Sequence, residues 1–159
     1  MAEHGRLIDL KLDPASFGRA TPDVEHERAV AIYDLLEFNE FQPVGRPIGD
    51  HILTLSVFDQ KLVFDIELGG SKERVTHILS LTPLRASMKD YHMICENYYD
   101  AIRTASTNRI ESIDMARRGV HNEASEILME RLSGKIDMDH DTARRLFTLI
   151  SALETEGRA

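Results

Sequence analysis

The sequence predicts an α+β fold: a β-α-β-β-β segment whose last three strands form an antiparallel meander, followed by a four-helix C-terminal half. Three observations carry this. An alternating apolar and polar run lies near the N-terminus, three more such runs fall between residues 50 and 81, and from residue 84 onward apolar residues recur at spacings of three and four. With 159 residues the chain is long enough for one domain without covalent staples, so residues 1–159 read as a single domain with a sheet-containing half (1–82) and a helical half (83–159).

Each element follows from local pattern. Ile8, Leu10 and Leu12 alternate with Asp9 and Lys11, predicting a half-buried strand. Thr21 and Pro22 supply an N-cap and a first-turn proline for a helix over 22–38, whose first turn is acidic at Asp23, Glu25 and Glu27. The stretch holding Asn39, Pro43, Gly45, Pro47 and Gly49 reads as loop. A turn at Asp59-Gln60 would set Val57 against Leu62, Leu55 against Phe64 and Leu53 against Ile66, leaving one face wholly apolar. A four-residue loop after the next strand would set Ile66 against Val75 and Phe64 against His77, placing that histidine on the buried face.

Thr82-Pro83 repeats the cap signal and opens what reads as the longest helix. Its seam of Leu84, Met88, Tyr91, Cys95, Tyr98, Ile102 and Ala105 suits a central helix packed on the sheet or its neighbours, or a dimerising coiled coil. After a break at Ser106-Thr107-Asn108, a short helix bearing Ile110, Ile113 and Ala116 runs to Arg118. Gly119 fits its C′ position and Asn122 the N-cap of a further helix with Ala124, Ile127, Leu128 and Leu132. Asp139 caps the last helix, marked by Leu146, Leu149, Ile150 and Leu153.

Composition narrows the function classes. The net charge of −8 disfavours wide attraction to nucleic acid or anionic lipid. The one cysteine, Cys95, excludes disulfides within the chain and points to a reducing compartment. The N-terminus lacks a basic region followed by a long apolar stretch, and later apolar segments are interrupted by charge, so the expected setting is cytoplasmic with no membrane span.

Residues 114–123, DMARRGVHNE, hold the densest set of functional groups. Asp114 can pair with Arg117 and Arg118 on one helix surface at spacings of three and four. The alternative is an anion site in which Arg117 and Arg118 converge with His121, a proton donor, and Glu123, its orienting partner. The helix-turn-helix outline is opposed as a DNA reader by Glu123, Glu126 and Glu130 along the second helix. No phosphate-loop or dinucleotide fingerprint is present. A second group, His77, Tyr91, Cys95 and Tyr98, could line a cleft between sheet and seam helix. His92, Glu96 and Asp100 share a helix side without a metal motif. Asp137, Asp139 and Asp141 start like a calcium loop, but Thr142 and Thr148 replace its glycine and its bidentate glutamate. No metal or cofactor is expected.

The segments DVEHERAVAIYDLLEFN from Asp23, KLVFDI from Lys61, THILSLTPLR from Thr76, KDYHMICENYYDAIRTA from Lys89, IDMARRGVHNEAS from Ile113 and DTARRLFTLI from Asp141 resemble uncharacterised protein family two-six-two, found chiefly in alphaproteobacteria. The resemblance implies a bacterial cytoplasmic protein and carries over no catalytic residue. With caps and matching periods throughout and no catalytic motif, the leading expectation is a non-catalytic protein-binding or regulatory module, with an unknown protein partner or a second copy. The alternative is an enzyme or sensor for a small phosphorylated or carboxylated metabolite, using the Arg117, Arg118 and His121 site.

Overall fold

The computed structural model describes residues 4–17 and 20–154. In chain order these form β1 (Arg6–Leu12), a single-turn α1 (Pro14–Phe17), α2 (Pro22–Glu37), β2 (Phe41–Pro43), β3 (Asp50–Phe58), β4 (Lys61–Glu67), β5 (Arg74–Ser80), α3 (Thr82–Thr104), α4 (Thr107–Leu132), β6 (Ile136–Met138) and α5 (His140–Glu154). The α+β class stands. Among the described residues, the helical half holds three helices rather than four.

The main sheet has the order β1-β3-β4-β5, with β1 parallel to β3 and the other pairs antiparallel. Because β1 is parallel to β3, the chain crosses over between them through α2, whose Thr21 hydroxyl accepts from the Val24 N–H at 3.3 Å. The β3–β4 register matches the expectation residue for residue, with Val57 opposite Leu62, Leu55 opposite Phe64 and Leu53 opposite Ile66. Asp59 and Gln60 both take positive φ, at 52° and 60°, so the two-residue turn is type I′ despite its side chains. Ile66 lies opposite Val75 and Phe64 opposite His77, also as expected, and the Leu68 N–H donates to the Glu73 carbonyl at 2.9 Å to close the four-residue loop.

Two strand features escape simple alternation. The β1–β3 register shifts between Leu7 and Asp9, so Leu7 and Leu10 are buried while Ile8 is 49% exposed, not on the core face with Leu10. Asn39 completes the edge there: its Oδ1 accepts from Leu7 N at 2.7 Å, and its Nδ2 donates to Leu7 O at 3.1 Å. The segment read as loop also contains β2, which pairs antiparallel with β6 through Phe41 opposite Met138 and Pro43 opposite Ile136. Strands of three residues are too short to show a period.

The helices bring the larger corrections. The N-cap of α3 is Leu81, which has no side-chain cap bond; Thr82 is the first helical residue rather than the cap, and its N–H donates to the Ser80 hydroxyl at 3.3 Å. The α3 seam holds at Leu84 and Met88, but Ala101 is buried where Ile102 was expected, and Ile102 is exposed. Ser106 caps α4 by accepting from Arg109 N at 3.3 Å. From there α4 runs unbroken for 26 residues, making it longer than α3. Gly119 is therefore helical, not a C′ residue, and Asn122 caps nothing. One glycine costs a helix only about 1 kcal/mol, less than the packing of the buried stripe His121, Ala124, Ser125, Leu128 and Leu132 contributes. Without a turn, the helix-turn-helix outline disappears.

The central helix is α5. Leu146, Phe147, Leu149, Ile150 and Leu153 are each at most 4% exposed and join one buried cluster with Leu35 of α2, Leu128 of α4 and the inner sheet face of Leu53, Leu55, Phe64 and Ile66. Asp139 starts it as expected, accepting from Thr142 N at 3.0 Å.

Two substitutions check these assignments. A methyl group at Gly119 would meet nothing within 4 Å, so Gly119→Ala should raise stability by about 0.8 kcal/mol in a denaturant titration; a loss would restore the helix break. Gln60→Gly should stabilise by about 1 kcal/mol by relieving the left-handed backbone of a side-chain-bearing residue, and no gain would count against the type I′ turn.

Candidate functional site

The buried stripe of α4 ends at His121, and Arg117 lies one turn earlier on the same helix side, where the core gives way to a cleft. That cleft, about 420 Å³, lies among four helices. Glu27, Ala31 and Asp34 of α2 form one wall, Tyr91, Cys95 and Tyr99 of α3 another, and Arg117 of α4 and Ser151 and Ala152 of α5 complete it. A smaller hollow of about 170 Å³ adjoins it, lined by Tyr91, Arg117, Arg118, His121 and Arg144. Tyr91 and Arg117 border both spaces. A wider hollow of about 670 Å³ on the outer side of the sheet, near Ile8, Ile52 and residues 69–72, carries no histidine, cysteine or tyrosine in its lining.

Arg117 is held from two sides. Asp114 Oδ1 accepts from its guanidinium, and that guanidinium lies 4.9 Å from the centre of the Tyr98 ring. The other Asp114 oxygen accepts from Arg118, whose Nε lies at 3.0 Å, and both arginines hold the Asp114 carboxyl below the usual carboxylate range. The surface pairing read from the spacing is thus present. A third guanidinium, that of Arg144 of α5, lines the same hollow and donates to the neutral amide oxygen of Asn122.

His121 is 9% exposed and packs edge-on against Tyr91 and Phe147, both ring centres 5.3 Å away. Its Nε2 lies 2.8 Å from the Thr148 hydroxyl, which spends its only proton on the Arg144 carbonyl at 3.1 Å. The Nδ1 of His121 is buried with no hydrogen-bond partner among the described residues. Burial first, then the positive field of Arg144 and Arg117 with His140 beyond them, pushes its pKa down to about 4. The imidazole is neutral at pH 7 and has no imidazolium proton to give.

The neighbouring groups are uncharged too. Burial and the adjacent Cys95 push the Tyr91 phenol up to about 12, and burial pushes the Cys95 thiol up despite the Tyr91 hydrogen bond and nearby Arg117. His92, read as part of a polar face, turns inward: its Nε2 lies 3.1 Å from the Ser151 carbonyl and 2.8 Å from its hydroxyl.

The structure thus brings together Arg117, Arg118, His121, Tyr91 and Cys95, with Tyr98 beneath Arg117. It does not add Glu123, which is exposed two residues, about 200° of helix, away from His121. Nor does it add His77, which is half-buried on the edge strand β5 near Lys135, outside the cleft lining. Among the described residues Arg144, Ser151, Glu27 and Asp34 complete the site unforeseen. Only because α4 is unbroken through Gly119 does the spacing of His121 from Ala124 and Leu128, three and seven residues, make it core-facing; nothing local could bring α5 or α2 beside it.

A folded pKa below the unfolded value of about 6.5 means that the folded protein binds fewer protons. This contribution is intact above pH 6.5 and is lost as pH falls towards 4. The loss should be about 2 kcal/mol after partial solvation is allowed for, and His121→Gln should remove it in chemical denaturation at pH 7 and pH 4.5. Equal pH dependence in the variant would assign the loss elsewhere.

The model of the Uncharacterised protein family (UPF0262) matches residues 4–156. A UPF0262 protein of Rhizobium meliloti (strain 1021) is 62% identical over 152 residues, covering 96% of each chain. One from Mesorhizobium japonicum is 61% identical over 153 residues, 96% of this chain and 94% of the relative. A third, from Methylobacterium radiotolerans, is 57% identical over 152 residues, again 96% and 94%. No solved structure matches significantly. Identity of this depth along almost the whole chain, together with the family match, shows that the protein belongs to the bacterial Uncharacterised protein family (UPF0262).

Proposed function

We propose that this protein is a non-catalytic regulatory module whose ligand is a small molecule held in the cleft between α2, α3, α4 and α5. The observation that carries this reading is Arg117, fixed by Asp114 and Tyr98 on the border of a 420 Å³ space. Such a volume lies within the range of about 300–1,000 Å³ for small-molecule sites, and its lining mixes aromatic and aliphatic groups with a few oriented polar ones.

Binding is favoured over catalysis by protonation state. Catalytic acids, bases and nucleophiles have pKa values tuned towards working pH, whereas His121, Tyr91 and Cys95 are all displaced in directions that keep them uncharged at pH 7. Val30 and Tyr99 line the cleft and are 43% and 68% exposed, so a ligand there would alter a surface that a protein partner or second copy could read.

A thermal-shift screen of small metabolites tests the reading. A ligand at 100 times its Kd should add about 2.7 kcal/mol of stability, and Cys95→Leu, which narrows the cleft, should abolish the shift while preserving the fold. Hits that shift the variant equally would place the ligand elsewhere. Turnover of a hit, lost in Arg117→Ala with the fold intact, would replace binding with catalysis.

A further inference from the structure

Resting on that reading of the cleft, we infer that its ligand carries an oxyanion, a carboxylate or a phosphate monoester, seated in the small hollow against Arg117, Arg118 and Arg144. A neutral or cationic body lies in the larger cleft.

Charge is the first argument. Three guanidinium groups line the hollow, Asp114 balances one of them, and among the described residues no carboxylate pairs with Arg144. Guanidinium forks suit carboxylate and phosphate oxygens because their donors are fixed in a plane. Arg117 also has a buried Nε without an acceptor among the described residues.

Size is the second. At about 170 Å³ the hollow is smaller than ordinary ligand sites but opens beside a cleft that is not, and Arg117 and Tyr91 border both. It is proportioned for one group of a larger molecule. The α2 wall then sets the rest: Glu27 and Asp34 face the cleft and repel a second anion, which disfavours dicarboxylates and dinucleotides.

The neutral imidazole of His121 reports occupancy. It faces Arg117 and Arg144, with His140 beyond, and an oxyanion between those arginines would offset the field that opposes its protonation. Its pKa should therefore rise on binding, whereas a neutral ligand has no charge with which to raise it.

The experiment titrates the full chain with phenyl phosphate, phenylacetate, inorganic phosphate and neutral 2-phenylethanol, following heat and the His121 ring resonances. Phenyl phosphate or phenylacetate should bind more tightly than 2-phenylethanol and more tightly than inorganic phosphate, and the tighter of the two names the oxyanion. Arg144→Gln should weaken that binding tenfold or more, the His121 pKa should rise with the probe bound, and exposed Arg118→Gln serves if the first variant unfolds. Aryl anions binding no better than 2-phenylethanol, or unaffected by either variant, would overturn the oxyanion. The cleft reading would survive if 2-phenylethanol binds and Cys95→Leu abolishes it. Absence of binding by every probe overturns this inference, while the metabolite screen decides the cleft separately.

Discussion

A helix that is apolar on most of its sides has to be surrounded, and α5 imposes that demand on this molecule. Leu146, Phe147, Leu149, Ile150 and Leu153 lose nearly all contact with water, at roughly 1.5–3 kcal/mol for each large side chain. α2 and α4 pack against it, the inner sheet face completes the cluster, and α3 folds back along α4. Polar anchors hold the arrangement: the Glu40 N–H donates to the Thr142 hydroxyl at 2.9 Å, and Arg145 donates to the Phe38 carbonyl at 2.7 Å. The cleft is the space these cylinders leave where side chains on α2 and α5 become small, at Ala31 and Ala152.

Electrostatics follow from the same packing. A histidine in the buried stripe of α4 must be neutral unless a carboxylate accompanies it, and His121 has two arginines for company instead. The Asp114 carboxylate lies one turn from Arg117 and spends both oxygens on the arginines beside it. The surface ion pairs and the electropositive hollow are thus compatible: the first organises Arg117 and Arg118, and Arg144 adds charge that Asp114 does not offset.

The meander was legible because its signal is redundant. Period-two alternation specifies faces, an even turn specifies which faces meet, and any odd register without a bulge would set apolar rows against polar ones, so Leu55 against Phe64 and Phe64 against His77 could be read directly. The starts of α2 and α5 were legible through Thr21 and Asp139, whose oxygens satisfy N–H groups of the first turn. Gly119 misled because a glycine's preference for helix ends is weak beside the burial of His121, Ala124 and Leu128 just after it. The bulge at Ile8 and the pairing of β2 with β6 depend on partners distant in the chain, Asn39 for the first and residues almost a hundred positions away for the second.

From its own residues, then, the chain determined its class, the register of its meander and the pairing of Asp114 with Arg117 and Arg118, because these rest on a period of two and on contacts within one turn. Only the tertiary structure decided what the cluster faces. It separated Glu123 from the arginines and His77 from Tyr91 and Cys95, brought Arg144, Ser151, Glu27 and Asp34 to the site, and made His121 neutral by burial. Desolvation and the field of arginines on two helices are sums over neighbours that sequence spacing does not record.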